Sequence, residues 1–477
     1  MTNKPFYLTT TLPYVNAEPH IGFALEIVQA DIVARYKRLM GAEVFFNTGT
    51  DEHGQKIFLA AQKESKGVEA YVDHYAKTFE LLKNGLGLSY DAFIRTTDPA
   101  HVTAAQELWR RCAEAGDIYK KKYKGLYCVG HEAFIKETDL ADGRCPDHPN
   151  MELQEVEEEN YFFKLSAYQD KLLNYLSHED AVLPSWRREE AINFIKGGLE
   201  DFSISREKAR MSWGISVPDD NSQVIYVWFD ALTNYISTLG WPDDKKGDFK
   251  KFWERGEVVQ VAGKDQVRFQ SIMWQAMLMS GGIKTTDKVV YHGFITSGGH
   301  KMSKSLGNVI DPLALVKEYG TDAVRYFLAR HVHPFDDSDF TPAHFKDAHN
   351  AGLANGLGNL ASRIMQLAQT HLSEPIKVGW KPLPKEFTEV MESFEINKAA
   401  EYVWGRISAL DHKITETAPF KVIKEDAEKG KAIITELVVE LAFIDQMLEP
   451  LLPETSKKII DAIVANKKPE NLFPRKE

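Results

Sequence analysis

His20-Ile-Gly-Phe23 places a histidine and a glycine at a loop-to-helix junction that follows a β-type run. A helix start presents unpaired N–H groups and the positive end of the helix dipole, and both favour an anion. Gly22 leaves room for a nucleotide to approach the backbone. A histidine in this place otherwise serves as a cap or a surface group. Farther along, Gly298-Gly-His-Lys-Met-Ser-Lys-Ser-Leu-Gly307 sets Lys301 and Lys304 on either side of Ser303, among glycines. A flexible cationic loop of this kind can fold over a triphosphate and stabilise charge that develops in phosphoryl or nucleotidyl transfer. The plainer alternative is a solvated basic loop. Cys128-Val-Gly-His131 and Cys145-Pro-Asp-His148 repeat the spacing of a zinc knuckle, with Cys₂His₂ ligation closing a tetrahedron. Four protein ligands leave no open position, so such a zinc would be structural. A metal-free hairpin is the alternative.

The elements that must position these groups are legible as patterns. Phe6 to Leu12 is rich in aromatic and β-branched residues and reads as a strand, followed by a turn-prone loop from Pro13 to Pro19. Ala24, Ile27, Val28, Ile32 and Tyr36 keep helical spacing from His20 to about Met40, and Gly41 ends that helix. A strand at Glu43 to Thr48 and a helix from about Gln55 to Ser65 follow. This β-loop-α-β order opens a doubly wound, Rossmann-like parallel α/β domain. From about Gly116 to Trp213 the pattern breaks, with two cysteines, several histidines and an acidic run from Glu155 to Glu159. It resumes at Val224 to Phe229, Val258 to Ala262 and Lys288 to Phe294. After about Pro342 only helical spacing remains: Ala400, Val403, Ile407, Leu410, Ile414, then Ile434, Leu437, Val438, Leu441, Leu448, then Ile459 to Ala465. The expected division is an α/β catalytic domain in two halves, 1–115 and 214–340, a connective insertion at 116–213, and an all-α bundle at 341–477.

The chain has 477 residues, 43% hydrophobic and 27% charged, so a disordered or collagen-like polymer is excluded. Its net charge of −11 argues against nonspecific coating of nucleic acid and leaves room for local basic grooves. Three cysteines do not make a secreted disulfide scaffold. No signal-peptide pattern opens the chain, and no uncharged apolar run approaches the ~20 residues a membrane helix needs. A cytoplasmic setting is expected.

Together, the helix-start motif and the lysine loop resemble the paired nucleotide-binding elements of class I aminoacyl-tRNA synthetases. Leu12-Pro-Tyr-Val-Asn16, Thr50-Asp-Glu-His-Gly54, Trp213-Gly-Ile-Ser-Val-Pro218, Tyr226-Val-Trp-Phe-Asp-Ala231, Gly263-Lys-Asp265 and His292-Gly-Phe294 are similar to the methionyl-tRNA synthetase family, bacterial type, almost from end to end. The resemblance implies ATP-dependent ligation of L-methionine to tRNA(Met), initiator tRNA included, through methionyl-adenylate, for initiation and elongation. By the same resemblance His20 meets the ATP phosphates with Mg²⁺, and Lys301 and Lys304 stabilise the transition state and the departing pyrophosphate. Asp265 binds the ribose, and Gly22 and Ser303 complete the ATP set. Asp51 receives the methionine ammonium with the Leu12 backbone, and Tyr14, Trp228, Ala231, Leu232, Tyr235 and His292 surround the side chain. A polarizable thioether suits aromatic walls. Such a pocket discriminates by only ~1–3 kcal/mol per methylene, so homocysteine and norleucine are expected competitors. The insertion is too short for a large hydrolytic editing domain.

On the helical domain, Asn359 and Arg363 share a helix face, and Pro419-Phe420 starts another helix; these are the anticodon candidates. Otherwise Asn359 and Arg363 form a solvated or inter-helix pair. Four positions depart from the family pattern: Phe23 and Gln270 stand where histidines are usual, His131 where a second cysteine is, and Phe420 where tryptophan is. Phe23 favours an impaired paralogue that only binds tRNA or methionine, and the intact lysine loop disfavours it. A sister ligase for another apolar amino acid is the other alternative. Without the appended OB-like domain of dimeric relatives, a monomer is expected.

Overall fold

The computed structural model describes residues 4–130, 133–135, 140–146, 150–302 and 307–477. A six-stranded sheet runs in the order Ala92–Arg95, Val44–Thr50, Phe6–Thr9, Glu257–Gly263, Lys288–His292, Val182–Leu183. Phe6–Thr9 is buried along its whole length, as the central strand of a sheet covered on both faces must be. It pairs in parallel on both sides, Phe6 with Val44 and Glu257, Thr9 with Asn47 and Gln260. The chain builds outward from this strand in one direction, then returns to add strands on its other side. That reversal is the doubly wound topology the sequence implied. It opens a crevice beyond the carboxyl ends of the two strands where the order reverses. The loop after Thr9 and the segment Gly263 to Asp265 leave the sheet there.

Two parts of the sheet reading change. Val224 to Phe229 is not a strand of the parallel sheet. Asp220–Ile225 pairs antiparallel with Ser216–Val217 and Ser205–Glu207 in a separate three-stranded sheet, and Val227–Leu232 is a helix. Buried residues crowd this run on every side, and a short apolar run does not distinguish a buried strand from a buried helix. Val182–Leu183, inside the segment read as insertion, joins the main sheet beside Lys288–His292. The remainder of that segment holds a four-stranded antiparallel sheet dominated by Ile118–Cys128 against Gln154–Phe163. Its acidic run therefore lies opposite a basic one: Lys122 faces Glu159 and Lys124 faces Glu157.

The chain packs as two compact units. The first comprises Met1–Glu18, Ala42–Leu81 and Tyr90–Tyr291. It contains the parallel sheet and a core in which Trp253 and Trp274 meet edge to face at 6.3 Å. The second comprises Pro19–Gly41, Leu82–Ser89 and His292–Glu477, so the first helix, Ile21–Leu39, packs with the C-terminal helices. Those helices bury the residues their spacing marked, from Ala400 to Ile414 on Ile396–Thr417 and from Ile434 to Leu448 on Ala427–Leu448. Among the described residues no helix is long and apolar enough to cross a membrane.

Candidate active site

In the second unit, His20 is the N-cap of the helix Ile21–Leu39. Its Nδ1 accepts the Gly22 backbone N–H at 3.1 Å. That bond leaves the ring hydrogen on Nε2, which is then the group's outward donor. Burial holds the imidazole below its ordinary pKa, so the ring is neutral at pH 7. The space above Gly22 is taken by this ring: a Cβ there would sit 2.9 Å from His20 Cε1. Room for the cap is thus the first requirement on the glycine, ahead of the room for a nucleotide read from the sequence.

The lysine loop begins in a hairpin. Ile295–Ser297 pairs antiparallel with His300–Lys301, and Gly298 and Gly299 turn it with φ of 62° and 78°. Two successive positive φ values are the mark of the tight hairpin turn that matches strand twist, and glycine adopts them without strain. Asp339 fixes the turn by accepting the Gly299 N–H at 2.8 Å. Lys301 is exposed at the end of the hairpin. Ser303 and Lys304 lie outside the described residues. Both flanks of the loop return to the first helix. Ile21 N–H donates to Ile310 O at 3.0 Å, and Met302 Cε lies 3.7 Å from where a Gly22 Cβ would be. His292 belongs to the same unit, held at Nε2 by Glu26 at 2.8 Å and at Nδ1 by Gly293 O at 2.7 Å.

In the first unit, the loop after the first strand is stitched to Asp51. Asp51 N–H donates to Pro13 O at 3.0 Å and Val15 N–H to Asp51 O at 3.2 Å, and Tyr14 and Asp51 form a parallel bridge. Leu12, Tyr14 and the buried carboxylate of Asp51 therefore share one corner of the crevice. Trp228 stacks on Phe269 with centroids 3.8 Å apart and planes 14° apart. Ala231, Leu232 and Tyr235 are buried on the turns that follow. Tyr235 is pinned by Tyr7, whose hydroxyl donates to its carbonyl at 2.7 Å. Asp265 is exposed at the carboxyl end of Glu257–Gly263. Gln270 is buried and its Nε2 meets no partner among the described residues.

The comparisons with known proteins bear on both sets of residues at once. The profile described as tRNA synthetases class I (M) matches residues 6–155 and 150–365. That described as the anticodon binding domain of methionyl tRNA ligase matches 379–474. A methionine–tRNA ligase of Caldanaerobacter subterraneus subsp. tengcongensis is 42% identical over 96% of this chain and 74% of that protein. One from Thermotoga maritima is 40% identical over 97% and 76%. The chain belongs to the methionine–tRNA ligase family. A solved Mycobacterium tuberculosis methionyl-tRNA synthetase in complex with methionyl-adenylate superposes with a TM-score of 0.89 at 35% identity, over 99% of both chains. The free form of that synthetase superposes at 0.84.

Other family-linked candidates are placed as follows. Cys128 ends the long strand Ile118–Cys128, and Cys145 follows the Ala141–Arg144 bridge; both are buried. His131 and His148 lie outside the described residues. Among the described residues no group of three or more metal-ligand side chains comes together. Asn359 opens the helix Asn359–His371 on an exposed face. Arg363, one turn on, is salt-bridged to Asp411 of a neighbouring helix, the inter-helix alternative left open by the sequence. Pro419 is buried, while Phe420 shows 45% of its surface.

Three groups were missed. Glu26 is the partner of His292. Glu52, next to Asp51, is gripped by Arg95 at 2.6 and 2.9 Å and by Thr50 at 2.7 Å. His101 joins His53 on Asp230. Glu52, His53 and Asp230 fall inside the short motifs read from the sequence, but Arg95, His101 and His292 meet their partners across tens to hundreds of residues.

Proposed function

We propose that the chain activates L-methionine with ATP and transfers it to tRNA(Met), initiator and elongator alike. In the first step a methionine carboxylate oxygen attacks the α-phosphorus, an O–P bond forms and pyrophosphate leaves. In the second, the terminal 2′-hydroxyl of the tRNA attacks the methionyl carbonyl, AMP leaves and the hydroxyl proton is released. No covalent enzyme intermediate enters. The catalytic contribution is positioning plus stabilisation of developing charge. His20 Nε2–H donates to the phosphates. Lys301 and Lys304, with Ser303, gather charge on the departing pyrophosphate, Mg²⁺ arriving with ATP to offset part of it. Asp265 takes the ribose. Asp51 and the Leu12 backbone hold the ammonium, and Tyr14, Trp228, Ala231, Leu232, Tyr235 and His292 line the thioether's hollow. Asn359, Arg363, Pro419 and Phe420 read the anticodon, Phe420 offering a ring face for stacking. Structural zinc is proposed on Cys128, His131, Cys145 and His148; the two buried thiols suit that ion. The proposed four-part organisation keeps the boundaries read from the sequence, with Val182–Leu183 counted to the main sheet, and the proposed setting is a monomer in the cytoplasm.

The observation that supports this most is that both flanks of the lysine loop return to the helix start that His20 caps. Methionine-dependent ATP–pyrophosphate exchange is the test. Exchange with methionine, absent with leucine, isoleucine and cysteine, is expected, and no exchange would leave the impaired-paralogue reading that Phe23 favours. Lys304→Ala should lower the exchange rate far more than methionine affinity; equal loss of both would contradict its role.

A further inference from the structure

Asp230 is completely buried on the short helix Val227–Leu232. Its two oxygens serve two histidines: Oδ2 lies 2.7 Å from His53 Nδ1 and Oδ1 lies 2.8 Å from His101 Nε2. His101 stands on the helix Pro99–Glu114 and continues through its Nδ1 to Ser237 Oγ at 2.9 Å. One carboxylate accepting an N–H from each ring accounts for all three contacts, with the Ser237 hydroxyl donating to His101. Burial pushes the Asp230 carboxyl up, but His53 and His101 more than offset this and hold it below the ordinary carboxylate range.

The elements this carboxylate joins are the walls of the amino-acid subsite. His53 is two residues from Asp51 in the same loop. Trp228, Ala231 and Leu232 share the helix of Asp230, and Tyr235 shares the turn of Ser237. The loop is braced from outside by Glu52 with Arg95, and by Trp213, whose Nε1–H donates to Glu52 O at 2.6 Å. On the inner side His53 reaches the pocket helix through Asp230 Oδ2, 2.7 Å from its Nδ1.

We propose that Asp230, bridging His53 and His101, is a positioning residue. It sets the spacing between the carboxylate that holds the substrate's ammonium and the hollow that takes its side chain, and so contributes to selection of amino-acid length. The proposal rests on the reading of Asp51 as the ammonium contact.

Asp230→Asn keeps the size of the side chain but turns an N–H₂ toward one of the two rings, breaking one bridge. In pyrophosphate exchange it should raise the methionine KM about tenfold, the order of one lost charge-assisted hydrogen bond, with the ATP KM within twofold. The preference for methionine over norleucine and ethionine should narrow by at least threefold. A destabilised fold alone would lower activity toward all three equally. Ser237→Ala, which removes only the outermost contact, should move the methionine KM in the same direction by twofold to fivefold, and it carries the test if Asp230→Asn does not fold. Combined with Asp51→Asn, Asp230→Asn should add little. An unchanged methionine KM in both Asp230→Asn and Ser237→Ala, an unchanged length preference, or fully multiplicative effects in the double variant would overturn the proposal. If Asp51→Asn alone leaves the methionine KM unaltered, the ammonium reading fails instead, and the single variants distinguish the two failures.

Discussion

The chemistry of His20 is set by a residue with no side chain. Because the Gly22 N–H occupies Nδ1, the ring presents Nε2–H and not a lone pair. The capping geometry and the glycine are one device, since any Cβ at position 22 would press on the imidazole at 2.9 Å. Gly22→Ala should therefore turn the ring off its cap. The expected result is a fall of tenfold or more in the turnover number for pyrophosphate exchange, with less than a twofold change in the methionine KM. If the glycine served only to admit the nucleotide, the substitution would raise the ATP KM and leave turnover alone. Steady-state kinetics with each substrate varied separates these outcomes. At this scale much of the site was readable, because His20, Asp51 and Lys301 sit in short runs of distinctive residue types. Glu26, His101 and Arg95 were not, because a hydrogen bond between residues distant in sequence leaves no local pattern.

At the scale of elements, the helix Ile21–Leu39 is held at its middle as firmly as at its start. Asp31 is fully buried and accepts from Arg325 at 2.8 Å, from Arg35 at 2.8 Å and from the Ser89 backbone at 2.6 Å. Arg325 is equally buried, on the helix Thr321–Arg330, and donates also to the carbonyls of Leu86, Pro450 and Leu451. Breaking one side of such a pair strands a charge. Arg325→Met should cost about 3–5 kcal/mol in urea unfolding, whereas adding Asp31→Leu should recover part of that loss. A double variant no more stable than Arg325→Met would show that the carbonyl contacts, and not the ion pair, carry the effect. The helix Ile21–Leu39 was legible because nineteen residues with apolar positions at helical spacing are too long a run for a strand. The run Val224 to Phe229 was not, since burial on all sides erases periodicity and only the turn at Asp219, with φ of 62°, marks where the hairpin reverses. The acidic run Glu155 to Glu159 was visible as charge, but its meaning depended on finding the lysine strand opposite.

For the molecule as a whole, buried titratable groups of both signs make stability a function of pH in a window that can be stated in advance. His20, His331 and His349 are all held below their ordinary value by burial. His331 is pushed to about 4, with Arg330 and His344 adding to the effect of burial and Glu401 opposing it. A histidine that resists protonation when folded and accepts it freely when unfolded favours the folded state fully above the unfolded value. That contribution is lost as pH falls through the folded one. For His331 the loss spans roughly pH 6.5 to 4. Asp445 acts in the opposite sense. Burial raises its carboxyl well above the usual range, only partly offset by the hydrogen bond from Ser456. It therefore weakens the fold at neutral pH, and the penalty is relieved as acid protonates it. Urea midpoints measured from pH 7.5 to 4.5 should show His331→Gln gaining relative to the parent chain as pH falls. Asp445→Asn should be more stable than the parent at pH 7.5, with its advantage shrinking toward pH 4.5. The two trends run oppositely because a depressed base and an elevated acid bind their protons in opposite states of the chain. A difference that stays constant with pH in either variant would mean that the group is not held away from its ordinary value by the fold.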